Sequence, residues 1–229
     1  DFDVTGSTSE FTTVTATARV VGQRAALYVD VRADSLISNS DLGRFSALFG
    51  APIHDVVTES FGTASDLDGN ERVIILFTPE VNLLTERGED SFIAGFFYGL
   101  DLLPEFEHSN NGEVFYMVVP DSAGIYSDAR TSQTLLNTLP PILAHEFQHM
   151  VHFNQRVLIA GGQGTDALWL SEGLATMAED LTSNASGLDA ATRKIYRGGN
   201  LGRAFRFLED PTEVNLTVTS GSGSLAEHG

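Results

Sequence analysis

The stretch from Ile142 to Met150 reads Ile-Leu-Ala-His-Glu-Phe-Gln-His-Met, which places a His-Glu-x-x-His pattern inside an apolar, helix-forming run. On an α-helix, residues four apart lie one turn apart on the same face, so His145 and His149 can reach one Zn²⁺ ion at ~2.1 Å. Glu146 lies beside them, where its carboxylate can serve as a base for a water at the metal. The pattern therefore predicts a zinc-binding helix.

A catalytic zinc site usually takes three protein ligands and leaves one position open, so a third ligand must come from another segment. Apolar residues at 170, 174, 177, 178 and 181 predict a second amphipathic helix, and Glu172 lies near its start. The 22 residues between His149 and Glu172 give the chain room to end one helix and pack another against it. We expect His145, His149 and Glu172 to be the metal ligands.

The His-Glu-x-x-His pattern and the segment Trp-Leu-Ser-Glu-Gly-Leu-Ala at 169–175 together resemble zinc peptidases of the hyicolysin type, within the gluzincin group that includes thermolysin. The resemblance extends over 18–179 and is looser upstream. It implies a secreted zinc endopeptidase that acts on peptides or proteins through a metal-activated water, with Glu146 as general base. It also implies that an edge strand binds the substrate backbone, formed here by Ile93, Ala94, Gly95, Phe96 and Phe97.

The chain departs from the thermolysin pattern at two points. In thermolysin-like enzymes, the residue four positions after the ligand Glu is an Asp that orients a zinc histidine. Thr176 occupies this position in the present chain. Glu179, two turns after Glu172, is a candidate partner for a zinc histidine instead, with a solvated carboxylate as the alternative. The residue that stabilises the oxyanion has no clear counterpart, and the candidates for it are Tyr116, Tyr126, Tyr196 and His228.

Other residues could compete for the metal. Asp166 lies in Gly-Thr-Asp at 164–166, which resembles a segment of aspartate-ligand zincins, but its position favours capping the Glu172 helix. His152 is excluded as a third ligand, because seven residues of helix rise ~10 Å. A metzincin would need Gly at 152 and His at 155, where this chain has His152 and Gln155.

We expect an α+β, zincin-like fold with a twisted mixed β-sheet, an antiparallel edge strand over the active-site helix, and a helical C-terminal part. Residues 1–10 are expected to be a flexible lead-in. Residues 11–210 are expected to form one catalytic domain, with a sheet part to about 155 and a helical part from about 166. Residues 211–229 are expected to be a polar tail, or a truncated continuation.

Local patterns predict the elements of this fold. Alternation predicts an antiparallel hairpin of strand 11–21 and a second strand around 27–31, and an apolar run predicts a central strand at 73–77. Further strands are expected at 91–97 and 113–119. Helices are expected from about 40, from about 53 with Gly62 as its C-terminal cap, from about 138 with Pro140 in its first turn, and at 188–197 and 201–208. An earlier helical turn from Thr131, with a kink at the prolines, is an alternative start of the third helix, and 155–165 is expected to be a loop.

A candidate Ca²⁺ loop precedes the central strand. Asp66, Asp68 and Asn70 carry oxygen ligands at alternate positions, with Gly69 at the tight turn. The twelfth position is Phe77 rather than Glu, so a bound Ca²⁺ would need ligands from another segment. The alternative is a polar turn.

Composition limits the classes of function. The net charge of −18 disfavours binding to nucleic acid or an anionic membrane surface, and no apolar run reaches the ~20 residues of a membrane helix. The absence of cysteine leaves His and carboxylates as metal ligands. We expect a monomer without membrane insertion. Two alternatives to a general endopeptidase are a non-catalytic zincin-fold binding module and a zinc peptidase restricted to glycoprotein substrates.

Overall fold

The computed structural model describes residues 11–162 and 166–212. The chain forms two compact units, one of Asp1–Ala51 with Ser65–Ile142 and one of Pro52–Ala64 with Leu143–Gly229. The expected lead-in at 1–10 and all but the first two residues of the polar tail at 211–229 lie outside the described residues.

The first unit contains a five-stranded mixed sheet made of β1 (Ala16–Val21), β2 (Ala25–Asp30), β3 (Val73–Phe77), β4 (Gly95–Phe97) and β5 (Val114–Met117). Its strand order is β1-β2-β3-β5-β4. The three central strands are parallel, and each edge strand is antiparallel to its neighbour. This mixed sheet with helices is compatible with the expected α+β class.

The core of this unit lies between the sheet and helix α1 (Asn39–Leu48). Val73, Ile75 and Phe77 of β3 are buried, as the apolar run of the central strand predicts. Phe45 of α1 is also buried, and its ring stacks on Phe77 with centroids 5.7 Å apart. The Ser38 side chain caps α1 by accepting from the Asp41 N–H. A short helix, α3 (Pro79–Leu83), follows β3.

Three of the expected strands are shorter in the structure, including the one expected at 113–119, which spans only Val114–Met117. The first begins at Ala16 rather than Phe11. The edge strand begins at Gly95, so Ile93 and Ala94 lie outside it, because the Ile93 N–H donates to Thr85 Oγ1. The Ala94 carbonyl still accepts from the Val118 N–H and so extends the β4 pairing by one bond.

Gly95 is required by the close pairing of β4 with β5. A Cβ added there would lie 2.8 Å from the Tyr116 carbonyl oxygen and 2.4 Å from Met117 Sδ.

The second unit is helical. It comprises α2 (His54–Phe61), the C-terminal part of α4 (Ser132–Phe153), α5 (Leu168–Ser183) and α6 (Ala190–Glu209). Helix α5 packs against both α2 and α6. Gly62 ends α2 with φ of +103°, which confirms its expected role as a C-terminal cap. Its buried apolar residues include Ile53, Val57, Phe147, Met150, Ala175, Ala178 and Tyr196.

Helix α4 starts six residues before Thr138, close to the alternative start at Thr131. It begins at Ser132 and runs through Pro140 and Pro141 without ending. Each proline lacks the N–H that would bond the carbonyl four residues earlier. Leu135, Leu139 and Leu143 are buried along one face, and this burial outweighs the two lost hydrogen bonds.

Two further expectations differ from the structure. The separate helices at 188–197 and 201–208 are one continuous helix, α6, which passes through Gly198 and Gly199. The loop expected after Gln155 begins as a π-helical turn, Asn154–Ile159, and Gln163 to Thr165 of that loop lie outside the described residues. Across the described residues, no helix is both long and apolar enough to cross a membrane.

Candidate metal centre

Two helices of the second unit carry the candidate site. Helix α4 supplies His145, Glu146 and His149, and α5 supplies Glu172 in its second turn. The rotation of α4 is fixed by buried apolar residues on its other faces, namely Ala144, Phe147, Met150 and Val151. The spacing of four residues therefore leaves both imidazoles on the face that meets Glu172.

The three expected ligands lie together. His145 Nε2 is 3.1 Å from Glu172 Oε2, and His149 Nε2 is 3.6 Å from Glu172 Oε1. One donor atom from each of the three residues lies within 4.8 Å of the others. The imidazole rings of His145 and His149 are nearly perpendicular, with centroids 4.8 Å apart.

This donor set fits a zinc ion. Two ligand atoms at ~2.1 Å from a tetrahedral zinc are separated by roughly 3.4 Å, and the 3.1 and 3.6 Å distances bracket that value. Two imidazoles and one carboxylate are the ligand types of zinc sites that leave a fourth position open.

Each histidine has a second partner on α5. His145 Nδ1 is 2.8 Å from Glu179 Oε1, and His149 Nδ1 is 3.3 Å from Ser171 Oγ. An imidazole that binds a metal through Nε2 carries its proton on Nδ1, and an acceptor at Nδ1 fixes the tautomer and the ring orientation. Glu179 was singled out in the sequence by its helical spacing from Glu172. Ser171 was not, although it directly precedes Glu172.

Burial and neighbouring charges shift the pKa values of the two histidines in opposite directions. Burial lowers the pKa of His145, but hydrogen bonds to Glu172 and Glu179 outweigh it and raise the pKa to about 10. Burial and then the charge of His145 lower the pKa of His149 to about 3. A metal at this position must displace a proton from His145, because imidazole binds metals only in its neutral form.

Glu146 is 8% exposed and lies three residues before His149 on α4. Its negative charge is one of the groups that raise the pKa of His145.

Asp166 does not cap α5, contrary to expectation. The residue at the cap position is Ala167, and no side chain accepts a hydrogen bond there. Asp166 Oδ2 is instead 2.7 Å from His152 Nε2, and Asp166 Oδ1 is 3.4 Å from Arg156 Nε. The hydrogen bond to His152 lowers the pKa of Asp166 below its usual value. Asp166 is therefore an ion-pair partner of α4 and the turn that follows it.

A second group of carboxylates lies in the first unit. Asp66, Asp68 and Glu113 each offer an oxygen within 4.8 Å of the others. Glu113 is buried, and it accepts hydrogen bonds from Ser65 Oγ and the Leu67 N–H.

The expected calcium ligand Asn70 has other partners, since its Oδ1 accepts from the Arg72 N–H and its Nδ2 donates to Asp68. Gly69 has φ of +68°, as the expected tight turn requires. Sequence reasoning missed Glu113, which directly precedes β5. The Asp66 loop precedes β3, which is the parallel neighbour of β5. Because neighbouring parallel strands start at the same edge of a sheet, this topology is the signal that places Glu113 near Asp66.

Among the candidates for the residue that stabilises the oxyanion, Tyr116 is hydrogen-bonded to other side chains and Tyr196 is buried. The Tyr116 hydroxyl donates to Asp101 Oδ2 and accepts from Asn110 Nδ2. Tyr196 is fully buried in the second unit. His228 lies outside the described residues.

A comparison with known proteins finds a protein that is similar to this chain in sequence. The chain is similar to the neutral metalloprotease ShpI of Staphylococcus hyicus, with 32% identity over 149 residues. The alignment covers 65% of this chain and 32% of ShpI, so the chain spans about a third of the length of that relative. No protein-family model matches the chain. The similarity to ShpI supports a relation of this chain to the metalloproteases.

Proposed function

We propose that this chain carries the catalytic site of a zinc-dependent endopeptidase of the gluzincin type. The observation that carries the proposal is the convergence of His145, His149 and Glu172 donor atoms within 4.8 Å, with Glu146 on the same helix as the histidines. The similarity to a neutral metalloprotease supports the same activity. The zincin-like fold and a secreted location belong to this proposal.

Each residue of the proposed site has its own role in the reaction. His145, His149 and Glu172 would hold the metal, which when bound polarises the scissile carbonyl and lowers the pKa of water. Glu146 takes a proton from the attacking water and delivers it to the leaving amine. With the metal bound, Glu179 Oε1 and Ser171 Oγ would accept hydrogen bonds from the Nδ1–H groups of His145 and His149, which leaves Nε2 of each ring free for the metal.

Two other functions use the same zinc site. A non-catalytic binding module would need the three ligands but has no use for a base, so Glu146 favours a peptidase. A glycoprotein-restricted peptidase would keep all four groups and differ only in its substrate.

The position of β4 at the edge of the described sheet supports a related proposal. An extended peptide can add to a sheet edge through backbone hydrogen bonds, and β4 ends the sheet. Replacing Gly95 by Ala forces β4 away from β5, because the new Cβ collides with the Tyr116 carbonyl. We expect Gly95→Ala to raise the KM for peptides and to leave the zinc content unchanged. An unchanged KM would remove β4 from substrate binding.

The proposed activity is tested by casein digestion. Zinc-loaded protein is expected to cleave casein, to lose this activity in 1,10-phenanthroline, and to regain it when zinc is restored. Cleavage that persists in the chelator would contradict a zinc mechanism. Zinc-loaded protein that leaves casein intact but cleaves a heavily glycosylated protein would identify the restricted peptidase, and protein inactive on both would favour the binding module.

A further inference from the structure

Helix α6 presents a polar stripe to α5. Tyr196, Asn200 and Arg203 lie at intervals of four and three residues and so share one face of α6. Asn200 Nδ2 is 3.4 Å from the Thr176 carbonyl oxygen of α5, and Asn200 Oδ1 accepts from Arg203 Nη2 at 2.7 Å. Asn200 thus ties the Arg203 guanidinium to the backbone of the helix that carries Glu172.

The guanidinium reaches Glu179. Arg203 Nη2 is 3.9 Å from Glu179 Oε1, the same oxygen that lies 2.8 Å from His145 Nδ1. The Glu179 side chain is only 6% exposed and that of Arg203 only 25%, so water screens this ion pair weakly. Among the described residues, Arg203 is the arginine or lysine that pairs with Glu179.

Tyr196 of α6 is buried close to Glu179. Its ring is fully buried, and its hydroxyl forms no hydrogen bond with a described residue. Burial, and then the negative charge of Glu179, raise the pKa of this phenol. Glu179 is therefore buried beside apolar surface, and its charge needs compensation from a fixed cation.

The charges of the proposed site explain the need for a cation. Zn²⁺ with three carboxylates, those of Glu146, Glu172 and Glu179, has a net charge of −1, and Arg203 brings the sum to zero. Without Arg203, the Glu179 carboxylate would be the unbalanced charge and would be favoured to turn toward water. His145 would then lose the acceptor that orients its ring.

We propose that Arg203, fixed by Asn200, is a positioning residue of the metal site: it holds the Glu179 carboxylate against His145 Nδ1 and so presets His145 for zinc. The inference rests on the proposed zinc site and extends it to α6. It gives α6 a part in metal binding although no residue of α6 is an expected ligand.

The test compares Arg203→Met, Arg203→Lys and Asn200→Ala with the control Arg206→Met, which removes the same charge from an exposed position of α6. The zinc dissociation constant is measured by competition with a chromophoric chelator, and the melting temperature is measured in excess EDTA. We expect Arg203→Met to weaken zinc binding about ten-fold, at the lower end of the range for outer partners of metal ligands. We expect Asn200→Ala to act in the same direction, Arg203→Lys to restore most of the affinity, and Arg206→Met to match the wild type.

Wild-type zinc affinity in folded Arg203→Met would overturn the inference and leave the proposed function standing. Equal losses in Arg203→Met and Arg206→Met would also overturn it, because they would reflect only net charge. If Arg203→Met does not fold, Arg203→Lys and Asn200→Ala decide: tight zinc binding by Asn200→Ala, or failure of Arg203→Lys to bind better than Asn200→Ala, overturns the inference. Failure of the proposed function is distinguished by the wild type, which would not retain stoichiometric zinc.

Discussion

Two carboxylates of the second unit, Glu172 and Asp166, lie six residues apart and have different partners. Glu172 contacts His145 and His149, while Asp166 pairs with His152 and Arg156. Glu172 is mostly buried, so its charge needs the protonated His145 or a metal beside it, and the hydrogen bond with His145 lowers the pKa of its carboxyl in spite of burial. The geometry therefore favours Glu172 as the third ligand.

We expect Glu172→Ala to lose its zinc on dialysis and Asp166→Ala to keep it. Loss of a ligand costs a zinc site orders of magnitude in affinity, whereas loss of the partly exposed Asp166 pairs should cost up to about 1 kcal/mol of stability. The measurement is the zinc content of each variant by atomic absorption after dialysis. The opposite result, with zinc kept in Glu172→Ala and lost in Asp166→Ala, would make the site one of the aspartate-ligand type.

At the residue scale, the sequence predicts that the three candidate ligands lie together, because their signal is local: four-residue spacing on one helix and an amphipathic pattern around Glu172. It does not predict the partners of Asp166, because His152 faces that carboxylate only after the chain reverses direction beyond α4. The sequence also does not predict the roles of Glu113 and Arg203, because their partners are distant in the sequence. Each meets its partner through tertiary packing across 24 or more residues of sequence.

Asp121 in the first unit gives a pH-dependent prediction. Its buried carboxylate accepts hydrogen bonds from the backbone N–H groups of Ile125, Tyr126 and Ser127. Burial acts to raise the pKa of Asp121, but these hydrogen bonds outweigh it and hold the pKa below the usual value. The carboxylate is thus ionised in the folded state at a lower pH than in the unfolded chain.

The stability that ionised Asp121 contributes is full above an unfolded pKa of ~3.9 and is lost as the pH falls through the lower folded value. We expect Asp121→Asn to reduce the free energy of unfolding by about 1 to 3 kcal/mol at pH 7, because hydrogen bonds to a charged acceptor are replaced by weaker ones. Urea denaturation of both proteins at pH 7, 5 and 3 measures this difference. The gap should narrow at pH 3, and a gap independent of pH would contradict the role of the charge.

At the scale of elements, the sequence predicts regular helices and strands well but misplaces their ends. Proline suggested that α4 starts at Thr138, and glycine suggested a break inside α6 at 198–200. Both helices continue, because the residues around these positions gain more from burial or from side-chain contacts with a neighbouring helix than the local preference costs. Gly198, Gly199 and Gly202 together cost α6 ~3 kcal/mol, and the burial of Tyr196 with the contacts of Arg203 offsets this cost.

The starts of β3 and β5 carry the proposed Ca²⁺ site, now with Glu113 beside Asp66 and Asp68. Binding of Ca²⁺ to the folded state alone would stabilise the first unit by mass action. We expect the melting temperature in millimolar Ca²⁺ to exceed that in excess EGTA, with the zinc content held constant. Glu113→Gln should abolish this difference, and Asn70→Ala should preserve it. A melting temperature that does not change with Ca²⁺ would contradict the Ca²⁺ site and support the alternative, a polar turn held by hydrogen bonds.

At the scale of the whole chain, the proposed catalytic groups all belong to the second unit, while the carboxylate cluster and the edge strand β4 belong to the first. The two proposed metals should therefore be separable by variants, with Glu172→Ala affecting zinc and Glu113→Gln affecting calcium. The net charge of −18 and the apolar content of 42% indicate an acidic globular chain, and they say nothing about which peptide bonds it would cut. Specificity depends on side chains around a bound substrate, for which the sequence has no periodic signal.

The central claim is that Glu146 is the base of a zinc peptidase. The most direct measurement is the casein-cleaving rate of Glu146→Gln together with its zinc content, on the same preparation as the wild type. The amide keeps the shape of the side chain but cannot accept a proton, so we expect one zinc per chain and a rate reduced by about 10² to 10⁴. A variant that holds stoichiometric zinc and cleaves casein at the wild-type rate would contradict the account.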